Sequence, residues 1–326
     1  MIITQKYNSA TEIDPEFIPD LEALLSDCIP SFEMIKKYEN NAPKNTHFAY
    51  YLFFGQKTNA PIGFAQIKIL QNERLSKKNF FDRLIKRKQQ KAELDWSMPG
   101  SLKEGLVFDP QYIQYACPKA RDIFQEYQDR DDVETQQILF STAYEDLTKA
   151  DPNRTLESLS IAETLVKNKE SYQSYLSSLS NDISQSIKSS WKALREFKLS
   201  DYEYFKEAFA YKAKGAEQYR TLKKSEPMAT YLELGCPMEF LTIENEEEIL
   251  ALTVFFEGKN GHAFYDVIVS EAGTMASHQM AIMRFFEREH LNKLHYLGDE
   301  PISQNLINCG FTKRSQFKVK IQKEVA

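Results

Sequence analysis

Residues 262–311 read HAFYDVIVSEAGTMASHQMAIMRFFEREHLNKLHYLGDEPISQNLINCGF, and they give the strongest indication of the fold. Its beginning, HAFYDVIVS, is rich in aromatic and β-branched residues, which predicts a strand. The segment 275–293 has apolar residues three and four positions apart with charges between them, which predicts a helix with one buried face. KLHYLG at 293–298 predicts another strand, and a short helix follows before the pair Gly310 and Phe311.

The flanking sequence adds strands on both sides of this stretch. EFLTIENEEEILALTVFFEGKNG at 239–261 offers two strands separated by NEEE and followed by EGKNG, and both separators are typical turns. QFKVKIQ at 316–322 alternates apolar and polar residues, which predicts a final strand. The last third of the chain is therefore predicted to run strand, strand, strand, helix, strand, short helix, strand.

The first half of the chain contains a clear hairpin. HFAYYLFFGQKTNAPIGFAQIKIL at 47–70 has two apolar runs around a Gly, Asn and Pro turn. An amphipathic helix is predicted before it at 18–39. SKKNFFDRLIKRKQQK at 76–91 predicts a basic surface helix, with a phosphate or membrane-surface contact through Lys77–Lys91 as the alternative. The alternating apolar segments at 92–142 are predicted to complete a mixed sheet.

A helical region separates the two halves. Apolar residues at 172–197 keep three- and four-residue spacing, which predicts one continuous helix of about seven turns. A second helix is predicted at 201–222. The expected architecture is α/β (α+β), with an N-terminal domain at 1–150 and a helical linker plus C-terminal domain at 151–326.

The composition is that of a globular protein with no strong charge bias. Of 326 residues, 42% are hydrophobic and 27% are charged, with a net charge of −6, which argues against wholesale attraction to nucleic acid. Four dispersed cysteines suggest reduced, buried thiols and no metal site. The N-terminus lacks the features of a secretion signal, and no apolar run approaches the ~20 residues that span a bilayer. We therefore expect a cytoplasmic protein without a transmembrane segment.

The order of elements at 239–326 resembles the GNAT acyltransferase superfamily, in which a strand and the helix after it lead to a further strand, a short helix and a Gly-Phe pair. YLSSLSNDISQSIKSSWKAL at 175–194 resembles the entry to the second domain of the tandem, Fem-type (FemAB-like) branch. The resemblance implies tandem GNAT-like domains, each a mixed twisted sheet flanked by helices, joined by a helical segment. It also implies transfer of an acyl group to an amine on a small molecule or peptide.

The resemblance implies acyl-CoA or acetyl-CoA as the donor. In coenzyme A-using members, glycine-rich backbone after the central strand holds the pyrophosphate at a helix N-terminus. The implied donor-binding positions here are Val267, Ile268, Val269, Gly273, Thr274, Ala276, Ser277, His278 and Asn305. For His278, a phosphate contact or proton shuttle is one interpretation and an exposed helix histidine is the other.

The chain departs from the family's pattern at two positions. Asp299 stands where the family usually has asparagine, and Leu306 stands where it often has a tyrosine that protonates the leaving thiolate. Leucine cannot donate a proton, so either another group serves or the domain does not run standard thioester chemistry. The segment at 184–190 also lacks the run of basic residues typical of Fem-type relatives, which weakens an aminoacyl-tRNA donor.

Three residues are candidates for chemistry on the acceptor and the reacting carbonyl. Asp266 lies within an apolar strand, where a buried carboxylate is costly unless hydrogen-bonded, so it is the candidate base. Tyr265 could donate a hydrogen bond to an oxyanion, and His295 lies on the strand that would border the cleft. Two alternative functions remain open: an aminoacyl-tRNA-dependent Fem-type transferase and a non-catalytic module that kept the scaffold.

Overall fold

The computed structural model describes residues 2–25, 31–56, 59–75, 88–96, 105–141, 154–162, 164–189, 197–200, 238–244, 249–258, 260–270, 274–297 and 304–322. The chain forms two compact units. The first is Met1–Leu159 together with Ser315–Ala326, and the second is Ser160–Arg314. The expected domains were 1–150 and 151–326. In the structure the division falls after Leu159, and the C-terminal end of the chain is part of the first unit.

The helices and strands follow one another along the chain in a mixed order. They are β1 (Ile2–Tyr7), α1 (Ile18–Leu24), α2 (Phe32–Asn41), β2 (Thr46–Gly55), β3 (Pro61–Leu75), β4 (Lys88–Trp96), β5 (Leu106–Phe108), α3 (Ile113–Asp129), β6 (Val133–Ser141), β7 (Arg154–Ala162), β8 (Thr164–Val166), α4 (Tyr172–Ser178), α5 (Asn181–Ser189), β9 (Phe197–Ser200), β10 (Glu239–Glu244), β11 (Ile249–Glu257), β12 (His262–Ser270), α6 (Thr274–Glu287), β13 (Lys293–Tyr296), α7 (Gln304–Asn308) and β14 (Lys313–Gln322).

The first sheet is mixed. Its described strands follow the order β1-β2-β3-β4-β6-β14-β7, with β5 also paired to β3. The predicted hairpin is confirmed as β2 and β3, which pair in antiparallel fashion. β4 and β6 are parallel, and β14 is antiparallel to β6. One face packs on α3 and the other on α1 and α2, so apolar residues point both ways along the central strands.

The second sheet carries the candidate site. Its described strands follow the order β8-β13-β12-β11-β10-β9. The predicted three-strand run is confirmed as the antiparallel series β10, β11 and β12. β13 pairs parallel to β12, because α6 crosses over between them. Residues of α4, α5 and α6 form a buried core with one face of this sheet, and Phe240, Val254 and Phe264 are buried on the other face.

Two predictions of secondary structure need correction. Residues 113–129 form α3, although the sequence was interpreted as alternating strand segments there. The helix predicted continuously over 172–197 is two short helices, and its end lies in β9. Leu179 is extended (φ −78°, ψ 160°), and the Ser184 Oγ donates to the Leu176 carbonyl oxygen, so the polar run breaks the helix.

Two other predicted segments lie wholly or mostly outside the described residues. These are the second helix at 201–222 and most of the basic segment at 76–91; the last four residues of that segment belong to β4, not to a helix. Cys117 and Cys309 are buried, as expected. Among the described helices, none is long and apolar enough to cross a membrane.

Candidate functional site

The candidate site lies where the parallel pairing of β12 and β13 ends. The last residue pair of this ladder is Tyr265 opposite Tyr296, and the Leu297 N–H donates to the Tyr265 carbonyl oxygen at 2.9 Å. β13 ends at Tyr296, but β12 continues to Ser270 alongside β11. Along this extension, the edge of β12 that pairs with β13 no longer has a residue of β13 beside it.

A β-bulge shapes this extension of β12. Leu252 pairs with Val269 and Thr253 pairs with Val267, so Ile268 is an extra residue without an opposite partner in β11. Such a bulge bends its strand and redirects the neighbouring side chains. Val267 and Ile268 are both partly exposed, unlike the fully buried Tyr265 before them. The bulge therefore marks the change from buried strand to accessible strand.

The face toward α6 contains a hydrogen-bonded aromatic cluster. The Tyr265 hydroxyl lies 3.0 Å from Nδ1 of His278, and both side chains are buried. The ring of Tyr296 lies 5.1 Å from each of the other two rings, between centroids. We call Tyr265, His278 and Tyr296 the aromatic cluster. Of its members, Tyr296 is partly exposed.

Burial determines the protonation of this cluster. It lowers the pKa of His278 to about 4, so the imidazole is neutral at neutral pH. Burial, followed by the nearby Tyr296, raises the pKa of the Tyr265 phenol well above its usual value. A neutral imidazole can accept the hydrogen bond of a protonated phenol. The hydrogen-bonded pair of Tyr265 and His278 is therefore uncharged at neutral pH.

The opposite face carries a different set of polar groups. Asp266, His262 and His295 are all buried there. His295 Nε2 lies 3.0 Å from His262 Nδ1, and His295 Nδ1 lies 3.0 Å from the Thr164 hydroxyl of β8. The ring of Phe264 stacks on His295 with centroids 4.8 Å apart. These contacts fix the orientation of His295 one residue before β13 ends.

The structure separates the predicted site residues between the two faces. Tyr265 and His278 are on the α6 side, whereas Asp266 and His295 are on the other. The interpretation of His278 as an exposed histidine is wrong, because α6 is covered by the sheet on one side and by α4 and α5 on another. Ala276 and Ser277 are also fully buried, and the Ser277 carbonyl oxygen accepts from the Thr253 hydroxyl at 2.9 Å.

The remaining donor-binding candidates are described only in part. Thr274 begins α6 and Asn305 lies in α7, but their side chains and that of Val269 are outside the described set, as is the whole of Gly273. Leu306, at the position where the family often has tyrosine, is buried in the α6 core with Cys309 and Phe311. Its side chain is part of the packing beneath the site.

Two groups at the site were given no role in the sequence-based site assignment. Thr164 could not be found, because its strand is far away in the sequence and reaches β13 only through the fold. Tyr296 had a signal: it follows His295 on the strand predicted to border the cleft, and adjacent strand residues point to opposite faces. The choice of His295 on one face of the sheet therefore implied that the next residue, Tyr296, lies on the other face.

Comparisons with known proteins reveal relatives at the level of structure. No protein-family model matches the chain, and no curated protein matches it significantly. FemX aligns with a TM-score of 0.52 and 8% identity, over 96% of each chain. A tandem GNAT protein from the clavulanic acid biosynthesis pathway, solved without AcCoA, aligns with a TM-score of 0.50 and 10% identity over 100% of each chain.

These alignments span essentially the whole chain and establish its class by fold. The protein has a GNAT fold in tandem arrangement, with a Fem-type structure among its relatives. The predicted fold class is confirmed. At identities this low the likeness concerns the fold, and the function has to be argued from the site.

Proposed function

We propose that this protein is a GNAT-type transferase that moves an acyl group from an acyl-CoA-type thioester, such as acetyl-CoA, to an amine on a small molecule or peptide. The observation that carries the proposal is the end of the β12–β13 ladder at Tyr265 and Tyr296, with β12 continuing to Ser270. The extension supplies backbone groups that β13 does not use. A pantetheine chain can hydrogen-bond to such groups as an added strand would.

The start of α6 suits the phosphates of this donor. The first four N–H groups of a helix have no acceptor within it, and the helix dipole favours an anion there. Thr274 begins α6 four residues after β12 ends at Ser270. We assign pyrophosphate binding to 273–278, in which Ala276, Ser277 and His278 contribute backbone because their side chains are buried. Val267, Ile268 and Val269 would line the donor chain, with Asn305 beyond it.

The acceptor chemistry is assigned to the face opposite α6. An alkyl amine is protonated at neutral pH and must lose a proton before it can attack a carbonyl carbon. Among the described buried groups on this face, which are Asp266, His262 and His295, we assign the role of base to Asp266 or His295. Asp266 lies next to the last ladder pair, and the contacts with His262 and Thr164 hold His295 in one orientation. Tyr265 holds His278 in place, because its hydroxyl contacts Nδ1 of that histidine.

The experiment combines calorimetric titration of acetyl-CoA with the variant Thr274→Asp. Negative charge at a helix N-terminus stabilises the helix, so the variant should remain folded. A carboxylate about 8 Å from a phosphate costs about 2 kcal/mol at an effective dielectric constant of about 20, so affinity should fall about 10- to 30-fold. Ser31→Asp, which places the same charge at the N-cap of α2 in the first unit, is the matched control and should bind acetyl-CoA like the wild type.

The outcomes separate the proposal from its alternatives. If the wild type does not bind acetyl-CoA, or if both variants bind equally well, the donor assignment is wrong. Salt-dependent binding of tRNA without acetyl-CoA binding would favour an aminoacyl-tRNA donor. Absence of both would favour a non-catalytic module that has kept the scaffold.

A further inference from the structure

A group of sulfur and amide side chains lies against the first turns of α6. Met275, the second residue of this helix, is partly exposed, whereas Gln279, one turn later, and Cys309, just after α7, are fully buried. The amide nitrogen of Gln279 lies 3.7 Å from Met275 Sδ and 3.7 Å from Cys309 Sγ, and the two sulfur atoms are 4.0 Å apart. We call Met275, Gln279 and Cys309 the sulfur cluster.

The amide nitrogen of Gln279 faces weak hydrogen-bond acceptors. Its Oε1 accepts a hydrogen bond from the Tyr172 hydroxyl at 2.7 Å, and its nitrogen points to the two sulfur atoms. Thioether and thiol sulfur are weak acceptors, so the N–H groups directed at them are bonded less strongly than they would be to oxygen. An oxygen atom on Met275 Sδ would be a stronger acceptor at the same place.

Of the two sulfur atoms, that of Met275 is the more easily oxidised. Burial raises the pKa of the Cys309 thiol to about 11. The thiolate is the form that reacts with peroxides, so Cys309 stays reduced. A thioether needs no deprotonation to react, and Met275 is partly exposed. Met283, on the same helix, is also partly exposed but forms no hydrogen bond with another residue in the described part of the chain.

We propose that Met275 is an oxidation site at which hydrogen peroxide forms methionine sulfoxide and weakens donor binding at the start of α6; the effect on the donor rests on the proposed function. The Met275 sulfur attacks one peroxide oxygen, an S–O bond forms and the O–O bond breaks. The leaving hydroxide takes the proton of the transferred oxygen and becomes water, so the sulfur loses two electrons to the peroxide. Methionine sulfoxide reductases reverse this modification.

The sulfur cluster provides hydrogen-bond donors for the sulfoxide. Methionine sulfoxide disrupts apolar packing because its oxygen is polar. Here the flexible, unbranched side chain can turn this oxygen toward Gln279 Nε2, and the Cys309 S–H is a second donor. The oxygen is the negative end of the S–O bond and is added within one turn of the residues assigned to the phosphates. It offsets part of the attraction of the helix dipole for an anion, so the affinity for acetyl-CoA falls.

The experiment treats the folded protein with hydrogen peroxide and measures acetyl-CoA affinity by calorimetry before and after treatment. Peptide mass spectrometry locates each added oxygen. Oxidation of Met275 should weaken binding about two- to fivefold. Met275→Leu should have the same affinity before and after treatment, because leucine has no sulfur to oxidise. Met283→Leu removes a partly exposed methionine from the same helix and is the matched control, which should keep the wild-type loss of affinity.

A second measurement tests the contact between the sulfoxide and Gln279. Gln279→Leu removes the amide donor, so peroxide treatment should lower its Tm by about 2–4 °C more than it lowers that of the wild type. Equal decreases would overturn this contact. Oxidation of Met283 without oxidation of Met275, or a loss of affinity that persists in Met275→Leu, would overturn the proposed site. Failure of the untreated wild type to bind acetyl-CoA would instead overturn the proposed function.

Discussion

The buried histidine of α6 should make the second unit sensitive to acid. His278 is 4% exposed, and burial lowers its pKa from 6.5 to about 4. The unfolded chain therefore binds a proton near pH 6.5 that the folded protein does not accept until about pH 4. Stability falls as the pH drops through this window and is constant, with respect to this group, below it. A shift of about 2.5 units corresponds to about 3 kcal/mol.

The variant His278→Gln should remove this pH dependence. The glutamine amide oxygen can accept the hydrogen bond of Tyr265 but does not titrate. Urea unfolding between pH 7 and pH 4, with native-state hydrogen exchange of the α6 amides as the local probe, gives the free energy of unfolding. Near pH 5 the wild type should lose up to about 1.4 kcal/mol per pH unit more than the variant.

The matched control is Tyr265→Phe, which removes the hydrogen bond and keeps the imidazole buried. Because burial is the cause of the low pKa, this variant should be less stable at every pH yet keep the wild-type slope. Equal slopes for the wild type and His278→Gln would refute the argument. They would mean that His278 is solvated well enough to carry its charge in the folded protein.

Two further predictions concern the second unit. Glu239 accepts from Arg284 Nε at 2.6 Å and from Arg288 Nη2 at 2.7 Å. Burial raises the pKa of this carboxyl, but the two arginines outweigh it and the net pKa is lowered. Glu239→Gln should therefore lose about 1–2 kcal/mol at pH 7. The loss should shrink as the pH falls below the usual pKa of a glutamate and through the lowered pKa of this carboxyl; urea titrations giving a loss that does not change with pH would contradict this. Gly310 has φ +90°, and a Cβ at this position would lie 3.3 Å from Leu165 Cδ1. Gly310→Ala should therefore cost about 1–2 kcal/mol in thermal unfolding, and Gly310→Asn should cost less. Equal losses in the two variants would count against backbone strain as the cause.

The sequence predicted the strands best, since period-two apolar runs between strong turns identify them locally. It missed α3, where Ala116, Ala120 and Phe124 recur at helical spacing and lie buried on the sheet. Tyrosine and isoleucine at the start of this helix favour strands intrinsically, and tertiary packing overrides that preference. The break between α4 and α5 had a local signal in Ser180 before Asn181 and Asp182, a typical helix start.

The partner of the closing strand could not be predicted from its own residues. β14 alternates as expected, but its pairing with β6 joins the two ends of the chain in one sheet. Alternation specifies a strand and its buried face, and it does not specify which strand lies next to it. The same limit applies to Thr164, which meets His295 only because β8 pairs with β13.

The helices and strands around the candidate site were predicted better than the burial of its residues. The strand, the helix start and the adjacent strand were located correctly in the sequence, but the burial of His278 depends on α4 and α5 covering α6. The division of roles between two faces follows from strand alternation. The end of the ladder at Tyr265 and Tyr296 shows where along the strands this division applies.

The proposed function requires the donor to lie along the extension of β12 and the start of α6. Hydrogen exchange followed by mass spectrometry, with and without saturating acetyl-CoA, tests this most directly. We expect protection in peptides that cover Val267–His278, and little change in those that cover β4 and β6 of the first unit. Protection confined to the first unit, or none at 267–278 with acetyl-CoA bound, would contradict it.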